Sequence, residues 1–303
     1  MSKKERTKVV SYSQFSMYSN CPRQYKLKYI DKLSKKESSI HLIFGSSMHD
    51  TVQTYLTKMY ESSKKSADML NLDAMLMKAL VDNFKKEKEK SIDNLNPCTQ
   101  LELEEFYGQG RQILKWFKSN TSKFYKKRGY ELVGIELKLD NQLKEGLQFL
   151  GFIDVCIRNK EKDIYTIIDL KTSTWGWSHW EKNDKIKTSQ MLLYKKFYAG
   201  KFDVSLDKIT VEYQILKRKL KDTGWSNPRI SRFVPSHGTP STNKAYKEFM
   251  NFVDDVFNDD GSYKDQPYRK TPGEKQRNCK FCEFLGVHCD GKVEQTPDFN
   301  KWT

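Results

Sequence analysis

Apolar residues along this chain fall first at helical spacing, then alternate, and then thin out. Phe15, Tyr18, Tyr25 and Tyr29 predict a helix over 11–33, with Ser13 as its N-cap and Cys21-Pro22 interrupting it. Phe44-Gly45-Ser46-Ser47 opens a second helix carrying Met48, His49, Val52, Tyr55, Leu56 and Met59. Met69, Leu72, Met75, Leu76, Ala79, Leu80 and Phe84 form a stripe that runs into the charged stretch 85–90, a solvated helix end. A loop around Pro97 follows, and then a helix over 101–127 with Phe106, Ile113, Trp116, Phe117 and Phe124.

The period changes near Tyr130. Residues 132–139 alternate as a strand does, 147–157 and 164–170 read as two more strands, and 209–216 as a fourth. A helix over 189–199 separates the last two. Residues 217–240 predict a hairpin or loop, and 241–259 an amphipathic helix. From Gly261 onward there is little periodicity, so something other than a large apolar core must hold the tail. The order predicts an α/β sheet core with a helical insertion before it. We read 1–303 as one domain, with 50–130 as the insertion, 130–220 as the sheet core and 261–303 as a cysteine-rich, cysteine-cluster tail packed on the N-terminal helix.

Composition narrows the partners. Hydrophobic residues are 37% of the 303, and aromatics at 13% suffice for a core, which excludes global disorder. Lysine and arginine outnumber aspartate and glutamate by 54 to 39, a formal charge of +15 that suits DNA or RNA. A lysine-rich surface of biased composition would give the same excess. No apolar run is long enough to span a bilayer, and the first residues lack the apolar centre of a signal peptide. A cytoplasmic protein without a membrane partner is expected, its six cysteines free or metal-bound rather than paired.

The chemistry sits in the strands. Gly151-Phe152-Ile153-Asp154 and Ile167-Ile168-Asp169-Leu170-Lys171-Thr172 put two carboxylates and a lysine at the ends of apolar runs. A carboxylate there is costly unless paired or metal-bound, and two side by side repel unless a cation lies between them. Taken singly, Asp154 could cap a turn and Asp169 could pair with Lys171 on a surface strand.

In their order, these residues resemble the PD-(D/E)xK nuclease superfamily, in its RecB-like branch. Gly45-x-x-x-His49 resembles the helical histidine motif, and Glu136 falls where the branch often has an acid. Asp154 resembles the first metal aspartate. Asp169-Leu170-Lys171-Thr172 resembles the signature strand, with Leu170 replacing the usual aromatic, and Gln190-x-x-x-Tyr194 resembles the motif of the following helix. The resemblance implies a restriction-endonuclease-like core, a mixed sheet flanked by helices. It implies that Asp154, Asp169, the Leu170 carbonyl and His49 hold Mg²⁺ or Mn²⁺. Lys171 would position the attacking water, and Gln190 and Tyr194 would contact DNA or brace the site. The implied activity is a metal-dependent DNase, with an exonuclease on single-stranded or end-bearing DNA preferred. Its implied setting is repair, recombination or replication in a bacterium or a phage, with a helicase or other recombination protein as candidate partner.

Cys279-x-x-Cys282 and Cys289 form a compact thiol cluster that needs a fourth ligand. Cys21, Cys98 and Cys156 are the remaining cysteines, and His288 could replace a thiolate. Four cysteines suit tetrahedral zinc. The segment 11–23 resembles the opening of iron–sulfur RecB-like nucleases, including the AddB type and the CRISPR-adaptation exonucleases. That resemblance implies a [4Fe–4S] cluster on Cys21, Cys279, Cys282 and Cys289, with zinc as the rival. Near the signature strand, Trp175 and Trp177 could stack on bases, and Lys217, Arg218 and Lys219 could contact a nucleic-acid backbone. Loop anchoring is the plainer role for the tryptophans. Two other functional readings remain: a non-catalytic nucleic-acid-binding module, and a zinc-containing RNA-directed protein.

Overall fold

Pro22 decides where the first helix stops. Lacking an N–H, it holds the preceding Cys21 in an extended conformation, φ −158° and ψ 105°, so the helix expected over 11–33 is cut in two. Its cap is Ser11 rather than Ser13, with the Ser11 side chain accepting from the Gln14 N–H. The computed structural model describes residues 7–34, 38–91, 94–221 and 227–292.

In chain order the elements are β1 (Lys8–Val10), α1 (Tyr12–Asn20), α2 (Pro22–Tyr25) and a π-helical turn (Lys26–Ile30). Next come α3 (Ile40–Glu61), α4 (Lys64–Asp68), α5 (Leu72–Lys90) and α6 (Gln100–Asn120). The strands β2 (Tyr130–Leu139), β3 (Gln142–Lys144), β4 (Leu147–Phe149), β5 (Gly151–Asn159) and β6 (Ile164–Ser173) follow. The chain continues through α7 (His179–Asn183), α8 (Lys185–Phe202), β7 (Ile209–Lys217), β8 (Ile230–Phe233) and α9 (Thr239–Val256). Among the described residues no helix is long and apolar enough to cross a membrane.

The chain forms two compact units. The first comprises Met1–Lys35, Asp140–Leu150 and Tyr246–Thr303. Its small sheet has the order β1-β4-β3, with β1 parallel to β4 and β3 antiparallel to it. Aromatic rings fill it: Phe15 and Phe149 each meet Phe249 edge-on, at 5.7 and 5.6 Å, and Tyr18 lies 5.0 Å from Phe252. The strand expected over 147–157 is therefore two strands, because β4 pairs in this sheet and β5 in another. Gly261, at φ +74°, backs onto the β3–β4 turn, where a methyl group would come 2.7 Å from the Glu145 carbonyl.

The second unit comprises Lys36–Leu139 and Gly151–Ala245. Its sheet runs β2-β5-β6-β7-β8, mixed because only β6 and β7 are parallel, joined through α8. One face, with Val155, Ile157, Ile168, Leu170 and Leu216, shares a buried core with Phe44, Met48, Val52, Leu76, Ile113 and Phe117 of α3, α5 and α6. α8 contributes buried Met191, Leu193 and Phe197. The α/β core with a mixed sheet and flanking helices thus matches expectation. The region 217–240 holds β8, an edge strand paired antiparallel to β7; residues 222–226 lie outside the described residues.

Helix α6 tests the packing of this core. A methyl group on Gly110 would lie 2.6 Å from Leu76 Cδ2 and 3.1 Å from Phe44, whereas one on Gly108 would meet nothing within 4 Å. Gly110→Ala should destabilise the protein by about 1–3 kcal/mol through overpacking. Gly108→Ala should leave stability unchanged or raise it by up to about 1 kcal/mol, from helix propensity. Thermal or urea denaturation of the two variants checks this; equal effects would contradict the packing described.

Candidate active site

The site is made where β5 and β6 part. Their ladder runs from Asn159↔Ile164 to Val155↔Ile168 and ends there. Beyond it β5 pairs only with β2, through Ile153↔Leu137 and Phe152↔Lys138, and β6 only with β7, through Asp169↔Tyr213 and Lys171↔Ile215. Asp154 and Asp169 occupy the next step, where the strands begin to separate. The Asp154 carboxylate fills the gap: its Oδ2 accepts the Leu170 N–H at 2.7 Å. The backbone donor is satisfied by a side chain and the cleft stays open.

Asp169 is 2% exposed. Its Oδ1 accepts from Lys171 Nζ at 3.1 Å and from Gln190 Nε2 at 3.0 Å. Its Oδ2 is buried without a hydrogen bond, although Lys171 Nζ stands 2.8 Å away, an ion pair without hydrogen-bond alignment. Gln190 lies on α8 and also donates to the Tyr194 hydroxyl one turn on, at 3.2 Å. Burial first, and then Asp169, push the Tyr194 hydroxyl up to about 12. The Lys171 side chain is 34% exposed at the mouth. Burial works against its charge, but Asp169 and then Asp154 outweigh it and raise the ammonium above its ordinary value.

α3 closes the other side. His49 Nδ1 lies 3.5 Å from Asp154 Oδ2. Burial lowers its basicity, against the pull of Asp169, which favours the neutral ring a metal ligand requires. Ligand atoms of His49, Glu136 and Asp154 all lie within 4.8 Å of one another. Glu136 reaches this group from a distorted strand: β2 has a register shift between Leu132 and Gly134, and Glu136 itself sits at φ +47°. Its Oε1 accepts from Gln53 Nε2 at 2.6 Å. The family pattern placed an acid at 136, but nothing in it pointed to Gln53, whose only sequence signal is its place one turn after His49.

Three carboxylates (Glu136, Asp154 and Asp169) face one ammonium across this cleft, an excess of two negative charges when all are ionised. Burial foremost, and then Asp169, raise Asp154 well above the usual carboxylate range. The orphaned Asp169 Oδ2 and the oxygen-rich donor set with one imidazole fit a hard divalent cation.

The cysteine assignment is corrected. Cys21, Cys279, Cys282 and Cys289 are free thiols lining one small cavity of the first unit, beside Leu27 and Phe284. Among the described residues the one group with converging metal-ligand atoms is His49, Glu136 and Asp154; no three of the sulfurs meet the same 4.8 Å spacing. Neither the [4Fe–4S] cluster nor its zinc rival is upheld, and the iron–sulfur branch falls with them. The tail does not form an organised cysteine element either: its described part, to Lys292, holds one 3₁₀ turn, Glu274–Gln276, among irregular turns. It is tied to α1 and α2 by polar contacts, Asn278 Nδ2 to the Asn20 carbonyl at 2.9 Å and Arg23 N–H to the Arg269 carbonyl at 3.0 Å.

The residues singled out for DNA contact are placed in different ways. Trp177 packs on Tyr213 at 4.7 Å and on Phe233 at 6.0 Å, while Trp175 is 50% exposed. Arg218 is buried over the Phe106 ring at 4.1 Å and donates to Gln109 Oε1 and Thr174 Oγ1. Lys217 is buried and donates to Asn227 Oδ1; Lys219 is half-exposed and pairs with Glu105 at 3.4 Å.

The charge imbalance has a measurable consequence. Asp154 holds its proton more tightly folded than unfolded, so its ionisation subtracts stability as pH rises from the ordinary carboxylate range through its raised value. At pH 7 in chelator, Asp154→Asn, which can still accept the Leu170 N–H, should melt at or above the wild-type temperature. Adding Mn²⁺ should raise the wild-type melting temperature and leave the variant unmoved. A variant that melts lower and still responds to Mn²⁺ would contradict this.

A family model described as the PD-(D/E)XK nuclease superfamily matches residues 9–288, nearly the whole chain. No curated protein matches it. The match spans the parted strands, the acids, the lysine and the α8 glutamine together, and on it the chain belongs to the PD-(D/E)XK nuclease superfamily.

Proposed function

We propose that the protein is a divalent-metal-dependent DNA nuclease, an exonuclease acting on single-stranded or end-bearing DNA. The observation that carries this is the buried pair Asp154 and Asp169 at the point where β5 and β6 part, with Lys171 at the mouth. Asp154, Asp169, His49 and the Leu170 carbonyl would hold Mg²⁺ or Mn²⁺, with Glu136 added to the set by its place beside His49 and Asp154. Bound there, the ion supplies Lewis-acid stabilisation of the phosphate and a source of hydroxide near neutral pH.

The chain's own groups do the rest. Lys171, held by Asp169, orients the attacking water and offsets charge growing on the phosphate oxygens. Gln190 and Tyr194 brace Asp169, which keeps its carboxylate aimed into the cleft. Trp175 at 50% and Trp180 at 85% exposure follow the Lys171 strand and offer faces for unstacked bases. The formal charge of +15 favours the phosphate backbone, with half-exposed Lys219 near the end of β7 as one contact. Repair, recombination or replication in a bacterial or phage setting, beside a helicase, is the biological role we attach to this activity, on the resemblance of the motif order.

End-labelled linear and covalently closed circular DNA, single- and double-stranded, test the reading in Mg²⁺ and in Mn²⁺. Linear substrates should be degraded and circles spared. Asp169→Ala should abolish cleavage, and Lys171→Ala should lower kcat by about 10²–10³ with little change in KM. Equal cleavage by wild type and Asp169→Ala would sink the assignment.

A further inference from the structure

We propose that Gln53 is a positioning residue for the metal ligands: its side-chain amide holds the Glu136 carboxylate and the Asp154 backbone in one arrangement, so that Glu136 can complete the set with His49 and Asp154. Gln53 lies on α3, one turn beyond His49, and is 5% exposed. Its Nε2 donates twice, to Glu136 Oε1 at 2.6 Å and to the Asp154 carbonyl at 3.1 Å. Among the described residues, the other buried polar side chains of this helix make no hydrogen bond to the strands, Ser47 meeting only Asn83 of α5 besides its own helix. Ser47 and Thr51 turn their hydroxyls back to the carbonyls of Ile43 and Ser47, four residues earlier. Gln53 instead connects the helix that carries His49 to β2 and β5, the strands that carry Glu136 and Asp154.

Glu136 needs such a tether. Its left-handed backbone, φ +47°, is uncommon for a side chain with a Cβ and costs about 1–2 kcal/mol. It lies between Ile135↔Val155 and Leu137↔Ile153, two residues past the register shift between Leu132 and Gly134. The residue is exposed, so burial does not fix its rotamer. Without Gln53 the carboxylate has several rotamers open to it, and the ligand would have to be ordered when a cation binds. Partners of this kind typically contribute 10- to 100-fold to metal affinity.

The inference rests on the metal-binding reading above, and its test separates the two. Mn²⁺ affinity is measured by electron paramagnetic resonance and calorimetry, without DNA, for wild type, Gln53→Met, Glu136→Ala and the double variant. Gln53→Met keeps the length and bulk of the side chain while losing both donated bonds. It should weaken Mn²⁺ binding about tenfold or more in the wild-type background and have no further effect once Glu136 is alanine. That lack of additivity is what a purely structural role would not produce. Gln53→Asn, which keeps the amide but draws it back by one methylene, is the second variant should the methionine protein fold poorly, and it should show the same loss. Wild-type Mn²⁺ binding with unaltered affinity in the Gln53 variants overturns the proposal alone. A Gln53 effect of equal size in the Glu136→Ala background also overturns it. Failure of the wild type to bind Mn²⁺ overturns the metal-site reading and this inference with it.

Discussion

The repulsion between Asp154 and Asp169, enclosed where two strands separate, is the constraint on which the rest of this protein turns. Neighbouring strands normally satisfy each other's backbone groups. Here the ladder stops after Val155↔Ile168, and a carboxylate oxygen replaces a carbonyl as the partner of the Leu170 N–H. That substitution keeps the cleft open and leaves two acids facing each other in a poorly hydrated space. Lys171 answers part of the charge, Gln190 fixes one oxygen, and another oxygen of Asp169 is left without a hydrogen bond. A site with such an imbalance is costly to fold and favourable to a divalent cation, for the same electrostatic reason.

The packing around the cleft serves this constraint. One face of the sheet is locked to α3, α5 and α6 by a continuous apolar core, which places His49 beside Asp154. α8 delivers Gln190 to Asp169 and sets Tyr194 beside Gln190. Arg218 ties α6 to the ends of β6 and β7, through Gln109 and Thr174. Loss of a bond at this scale shifts a site by fractions of an ångström, enough to matter for a reaction that depends on alignment.

Much of this was legible in the sequence because the signals were periodic or ordered. The alternation beginning near Tyr130, the helix over 189–199 and the sequence of acids, lysine and glutamine pointed to the sheet core and to the cleft. What failed was local or spatial. The interruption expected at Cys21-Pro22 is a full break, because Pro22 holds Cys21 extended. The run 147–157 looked like one strand because nothing in its alternation marks the change of sheet at Leu150. The cysteine spacing suggested a metal cluster, but spacing gives proximity along the chain and not the convergence of sulfur atoms, and it is the His49, Glu136 and Asp154 group that converges. Gln53 has no sequence signal beyond its place one turn after His49; its two donated bonds identify it.

The central claim is that a buried pair of like charges is resolved by a divalent cation. Carboxyl-carbon NMR of aspartate-labelled protein, with Asp154→Asn used to assign the signal, measures it directly across pH 3–9 (a range of about six units that spans ordinary and raised carboxylates). Without metal, Asp154 should titrate well above the usual carboxylate range, because of burial and then Asp169. In saturating Mg²⁺ the same carbon should titrate below that range, since the cation favours the charged form. An Asp154 that titrates as an ordinary surface carboxylate, unchanged by Mg²⁺, would contradict the account.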